Sequence, residues 1–215
     1  KKVNKMSVED FHNQVASKER FEFGKNWKEF LAKLNNDRIK IAESSLMGML
    51  KIDDFEGKNF LDIGSGSGLS SLAAINNGAN VTSFDFDDKA VWCTNELKNR
   101  YYQNSHQWKI IQGSVLEDDF VSSLGLFDIV YSWGVLHHTG EMHKAIDNAV
   151  KLVDKDGIIF LAIYNDQGFK SHIWWIIKYT YNQLPGFLRK PFAYFLGFTT
   201  MFFTLIKYTI KLQPM

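Results

Sequence analysis

Three glycines at alternate positions, Gly64, Gly66 and Gly68, lie in NFLDIGSGSGLSSLAA, between an apolar run and a Leu/Ala-rich run. Missing side chains let a backbone turn tightly and approach a ligand closely. Asp85 follows 21 residues after Gly64 in VTSFDFDD, where a carboxylate can accept hydrogen bonds from both hydroxyls of a ribose and would repel a ribose phosphate. Asp87 and Asp88 read instead as a helix start, because acidic side chains there satisfy exposed N–H groups and the helix dipole. Further on, SWGVLHHTG carries His137 and His138. An imidazole, with a reference pKa of ~6.5, suits a general base near neutrality. Sequence neighbours rarely face the same way, so one ring is expected to face a ligand crevice and the other to pack. The bland use of the pair is helix-start hydrogen bonding that shapes the pocket.

The glycine spacing is not the dinucleotide fingerprint G-x-G-x-x-G/A. Counted from Gly64 its sixth position is Leu69, and counted from Gly66 it is Ser71, so the small residue that permits close helix packing is missing in either frame. A glycine turn can also be a purely structural one with no ligand.

These groups need elements to hold them. Short apolar runs alternate with helical stretches from Asn59 to Asn165, the pattern of a parallel sheet covered on both faces. Strands are expected at Phe60 to Ile63, Val81 to Asp85, Trp108 to Gln112, Phe127 to Ser132 and Ile158 to Tyr164. Helices are expected at Leu69 to Asn77, Lys89 to Asn99 and Glu141 to Leu152, the last followed by a turn at Asp154-Lys155-Asp156-Gly157. Right-handed crossovers make such an alternation an α/β, Rossmann-like, doubly wound, mostly parallel sheet, with ligands at the carboxyl ends of its strands. The domain reading is an N-terminal helical segment or lid over 1–58, a core over 59–166, and a helical aromatic cap or acceptor-site segment over 167–215.

Composition narrows the function. Lys plus Arg number 25 against 24 Asp plus Glu, so the net charge of +1 gives no general reason to expect nucleic acid as a partner. The single cysteine, Cys93, excludes an internal disulfide framework and a cysteine-rich metal site, which suits a reducing cytoplasm. No nearby set of carboxylates and histidines has ligand spacing, so no metal is expected. The opening KKVNKMSVEDFHNQ has no apolar core of a signal sequence.

LDIGSGSG, FDFDD, GSVLEDD, FDIVYSWGVLHHTG and LVDKDGIIFLAIYN follow one another over roughly half of the chain. In this order they resemble the class I S-adenosylmethionine-dependent methyltransferases, particularly the small-molecule branch with quinone-ring O-methyltransferases. The resemblance implies S-adenosylmethionine as cofactor and its demethylated form, S-adenosylhomocysteine, as product. It implies that Asp62 and the turn of Gly64, Ser65, Gly66, Ser67 and Gly68 line the methionine and ribose side. Asp85 would then bind the ribose hydroxyls, Phe86 would lie against adenine, and Ser114 and Val115 would occupy the adenine edge. Many relatives carry an acidic residue where Ser114 stands. Ser132 and Trp133 would emerge beside the methyl group, with Trp133 as a wall.

Transfer from an activated sulfonium needs mainly alignment of the acceptor, and a base where the acceptor carries a proton, the role offered to His137 or His138. Trp27, in the compact group Phe23, Gly24, Lys25, Asn26 and Trp27, and Tyr164 and Asn165 at the end of the fifth strand are expected on the substrate side. The expected acceptor is a small molecule, most simply an oxygen of a quinone or phenol, a sugar hydroxyl or a phosphate-like group. After the fifth strand this family usually adds two more strands, and no pair is legible before Met215. PFAYFLGFTTMFFTLI, residues 191–206, carries no charge and is shorter than the ~20 residues of a spanning helix, which suits cap helices or a membrane-surface patch. Rival functions are a nicotinamide-dependent or nucleotide-sugar enzyme on a similar sheet, disfavoured by the glycine spacing, and a non-catalytic module that keeps the cofactor cleft.

Overall fold

The computed structural model describes residues 30–211, which fall into two compact units divided between Tyr164 and Asn165. The first unit holds a five-stranded sheet: β1 (Asn59–Ile63), β2 (Asn80–Asp85), β3 (Trp108–Gln112), β4 (Phe127–Trp133) and β5 (Val153–Ala162), in the order β3-β2-β1-β4-β5. Every neighbouring pair is parallel. The order reverses between β1 and β4, so their carboxyl ends flank the crevice where such sheets bind ligands.

Period-two alternation separates two cores. Phe60, Val81, Trp108, Ile129 and Tyr131 point to one face and pack against α1 (Asn36–Leu50), α2 (Leu69–Asn76) and α3 (Asp88–Tyr101). Leu61, Ile63, Phe84 and Val130 point to the other, against α4 (Asp118–Ser123) and α5 (Met142–Val150). Strands buried on both faces must be apolar at nearly every position, which explains their near-continuous hydrophobic runs. Local chemistry sets the helix ends. The Asn35 side chain accepts the Arg38 N–H at 3.0 Å to start α1, and Asp87 accepts the Lys89 N–H at 3.0 Å to start α3, with Asp88 in its first turn.

Asp154–Gly157, expected as a free turn, belongs to β5 as a bulge. Val153 pairs with Phe127 and Ile158 with Ile129, so four residues loop out against Asp128 alone. β5 consequently begins at Val153 and ends at Ala162, leaving Tyr164 beyond its tip.

The second unit contains α6 (Phe169–Gln183) and α7 (Gly186–Lys211), which contact one another. None of the described helices is long and apolar enough to cross a membrane.

Candidate active site

Parallel pairing brings the ends of β1 and β2 side by side, and backbone hydrogen bonds shape the turn beyond β1. The N–H groups of Gly64 and Ser65 both donate to the Phe84 carbonyl, at 2.8 and 3.2 Å. Gly64, Gly66 and Gly68 all have positive φ, at 76°, 55° and 79°. A side chain at Gly64 would also strike Val135, whose methyl carbons lie 2.5 Å from the position its Cβ would take. The turn after β1 and the turn after β4 are therefore packed together across the crevice.

Asp85 holds this turn from β2. Its Oδ2 accepts the Gly66 N–H and its Oδ1 the Asp87 N–H, both at 3.0 Å. Burial pushes the carboxyl up to about 6, against the opposing pull of the Gly66 and Asp87 N–H groups. The Asp85 carbonyl accepts the Gly113 N–H at 3.0 Å, which sets the exit of β3 beside it.

Asp62 is nearly fully buried at the other side of the turn. Ser71 Oγ donates to its Oδ2 at 2.6 Å, Ser83 Oγ lies 2.7 Å from Ser71 Oγ, and Trp108 Nε1 donates to Ser83 Oγ at 2.8 Å. Ser71 has one hydrogen and gives it to the carboxylate, so Ser83, accepting from the donor-only indole, donates to Ser71 when Asp62 is ionised. Burial raises the Asp62 carboxyl to about 7; the Ser71 bond opposes the rise and the Asp85 charge adds to it. Burial also lifts the nearby Tyr131 hydroxyl to about 12, so it stays protonated at any ordinary pH.

Other predicted positions divide by what their side chains touch. Ser65 and Ser67 are buried, and Ser65 Oγ pairs with Thr94 Oγ1 at 3.0 Å, so Ser65 braces the turn with its side chain. Ser114 Oγ accepts the Leu116 N–H at 3.2 Å, while buried Val115 offers its carbonyl to Asn148 Nδ2 at 2.9 Å. Phe86 is partly buried, and its carbonyl faces Gln112 Nε2 at 3.4 Å. Ser132 Oγ donates to the Ile63 carbonyl at 3.1 Å, tying β4 to β1. Trp133 is 47% exposed and stacks on Phe160 with ring centroids 6.1 Å apart, a flat wall at the tip of β4.

Beyond β4, the short helical turn Leu136–His138 carries the histidines. Their rings touch, with centroids 4.0 Å apart, and Tyr164 packs against His137 at 4.7 Å. Both ring nitrogens of His137 are buried without a hydrogen-bond partner. A buried polar group left in this state is costly. His138 is exposed. Asn165 is the first residue of the second unit, and Trp27 lies outside the described residues. Among the described residues no group of three or more His, Cys, Asp or Glu side chains could hold a metal ion.

Several residues that build the site escaped the sequence. Ser71, Ser83 and Trp108 orient Asp62, and Thr94 sits beneath Gly68, where an added Cβ would lie 2.9 Å from its methyl group. The available signal was a polar pair, Ser70-Ser71, inside an otherwise apolar helix.

Comparison with known proteins places this arrangement. A "Methyltransferase domain" family profile matches residues 61–159, which run from within β1 to within β5 and include the crevice turns. A ubiquinone biosynthesis O-methyltransferase from Coxiella burnetii is 27% identical over 155 residues, which cover 71% of this chain. The chain spans about 60% of that relative's length. The magnesium protoporphyrin IX methyltransferase of Synechocystis, solved with bound S-adenosylhomocysteine, has the same fold at 19% identity and a TM-score of 0.52, over 69% of this chain and 64% of its own. A Methanococcus maripaludis protein provisionally assigned as an S-adenosyl-L-methionine-dependent methyltransferase aligns at 16% identity and a TM-score of 0.54, over 83% and 74% of the two chains. These matches support a class I S-adenosylmethionine-dependent methyltransferase similar to the quinone O-methyltransferases, the methyltransferase-domain match itself covering a little under half of the chain.

Proposed function

We propose that this protein transfers a methyl group from S-adenosylmethionine to an oxygen of a small molecule in the cytoplasm, a quinol or phenol hydroxyl foremost. The observation that carries this function is the Asp85 carboxylate bonded to the Gly66 N–H, an acidic group and a side-chain-free turn meeting at neighbouring strand tips. Naming of the similar Coxiella burnetii protein as an O-methyltransferase of ubiquinone biosynthesis supports oxygen and a ring acceptor.

The residues present fit an adenosyl sulfonium. Asp85 keeps lone pairs for two ribose hydroxyls beyond the two N–H groups it accepts, and the turn of Gly64, Ser65, Gly66, Ser67 and Gly68 has no bulk to keep a ligand away. Asp62 would supply negative charge on the methionine side, with Phe86, Ser114 and Val115 around adenine. When bound, the cofactor brings an already activated methyl group. The protein's task is then alignment and removal of a proton. Trp133 and Tyr164 would present flat faces to a ring, and His137, with two unpartnered nitrogens, would take the acceptor proton, with His138 as the other candidate base. Peripheral contact with a membrane, through the aromatic C-terminal segment, would give access to a lipophilic acceptor.

Calorimetry with S-adenosylmethionine, S-adenosylhomocysteine and NAD tests the cofactor: the first two should bind and NAD should not. Labelled-methyl transfer into a cell extract tests turnover, and binding without transfer would leave a non-catalytic module.

A further inference from the structure

Charge is unevenly divided along this chain. From Asn165 to the end there are six cations, Lys170, Lys178, Arg189, Lys190, Lys207 and Lys211, and one acid, Asp166. That segment carries +5, whereas the preceding 164 residues carry −4, and the overall +1 conceals the split. Asp166 is occupied locally, its Oδ1 accepting the Gly168 N–H at 2.7 Å. Arg189 closes the end of α6, donating to the carbonyls of Leu184 and Asn182 at 3.0 and 3.2 Å. Five lysines are left as the segment's charge.

Between those lysines the surface is apolar. Phe169, Trp174, Trp175, Phe195, Phe198 and Phe203 are each more than half exposed, and α6 has no buried residue. Threonines in α7 do not wet it, because Thr200, Thr204 and Thr209 donate to the carbonyls of Leu196, Thr200 and Leu205, at 2.8, 2.8 and 2.9 Å. Aromatic groups beside lysines, with polar hydroxyls turned inward, are the chemistry of a headgroup plane, where rings enter the acyl boundary and ammonium groups meet phosphates. The uncharged run 191–206, at ~1.5 Å per residue, is ~24 Å long, short of a ~30 Å hydrocarbon core, and Lys190 and Lys207 bracket it. A run of that length does not span, so any bilayer contact it made would lie along the surface. RNA is a poorer fit, since the segment's only arginine is engaged in the α6 closure.

We propose that α6 and α7 dock this protein in the plane of an anionic lipid bilayer. This deepens the membrane contact proposed above by naming the lipid charge, and its test makes no use of methyl transfer or cofactor, so the two can fail separately. The full chain is sedimented with vesicles of phosphatidylcholine alone or with about a third phosphatidylglycerol, at low and high salt. Anionic vesicles should bind at least about tenfold more tightly at low salt, with the advantage shrinking as salt screens the lysines. Lys190→Glu with Lys207→Glu should remove most of that advantage, and Trp174→Ser with Trp175→Ser should weaken binding to both vesicles. Brominated lipids should quench tryptophan emission of the unmodified chain, a readout that needs no variant. Equal binding to both vesicles overturns the proposal, as does failure to bind either, or an anionic preference that high salt leaves intact. Capture by single-stranded RNA in preference to anionic vesicles overturns it in favour of a nucleic-acid surface.

Discussion

Asp85 Oδ2 accepts the Gly66 N–H at 3.0 Å, so the tip of β2 and the turn beyond β1 are joined by a charge-assisted bond. The carboxylate is aimed before any ligand arrives, its other oxygen being held by the Asp87 N–H at 3.0 Å.

Asp85→Ala should weaken S-adenosylmethionine binding by ~1.5–3 kcal/mol, through lost bonds to ribose and a loosened glycine turn. Titration calorimetry measures this, and an unchanged affinity would remove Asp85 from the cofactor site.

Both site carboxyls titrate high, Asp85 at about 6 and Asp62 at about 7, chiefly through burial. The folded chain then holds protons that the unfolded chain has released, so their contribution to stability is complete below about 4 and is lost as pH rises through 6 and 7. Denaturant unfolding of the ligand-free protein should show a loss on the order of 3 kcal/mol between pH 5 and 7.5, and Asp62→Asn should flatten much of it. A cationic cofactor favours the ionised carboxylates, so its affinity should climb over the same interval. A flat affinity profile would contradict this.

Ser71→Ala takes from Asp62 its hydroxyl donor and from Ser83 its partner. The change should cost ~1–3 kcal/mol in thermal or denaturant unfolding and move the Asp62 titration upward, visible in carboxyl carbon resonances. A downward movement would mean that the Ser71 bond does not favour the ionised form.

His137→Gln should lower turnover at least about a hundredfold at saturating donor while leaving S-adenosylmethionine affinity within about twofold. His138→Gln should cost less, because its exposed ring lacks the buried, unpartnered nitrogens of His137. Turnover that survives in the double variant would dismiss a histidine base.

Sequence periodicity carried most of the sheet. Strand β3 falls at Trp108–Gln112 as expected, and β1, β2 and β4 differ from expectation only at their ends. The start of β5 was illegible because Asp154-Lys155-Asp156-Gly157 has the composition of a turn, and only pairing with β4 reveals that these residues bulge from a continuing strand. In the site, the glycine turn and Asp85 were legible because both depend on residue type. Ser71 and Ser83 were not, since a serine inside an apolar helix or strand gains meaning only from what lies opposite it. The two histidines were visible as a pair, yet nothing in LHHTG tells which ring loses its hydrogen-bond partners on burial.

With Asp62 ionised, the line of hydroxyls from Trp108 to Asp62 has one polarity, because the single Ser71 hydrogen goes to the carboxylate and Ser83 must then donate to Ser71. A proton added to Asp62 on the oxygen beside Ser71 would reverse the Asp62–Ser71 and Ser71–Ser83 bonds while the Trp108 bond stayed as it is, and would cost the Ser83 hydroxyl its acceptor in the line. Protonation is therefore steered to Oδ1, and the acid form of Asp62 becomes a donor on the side away from the serines.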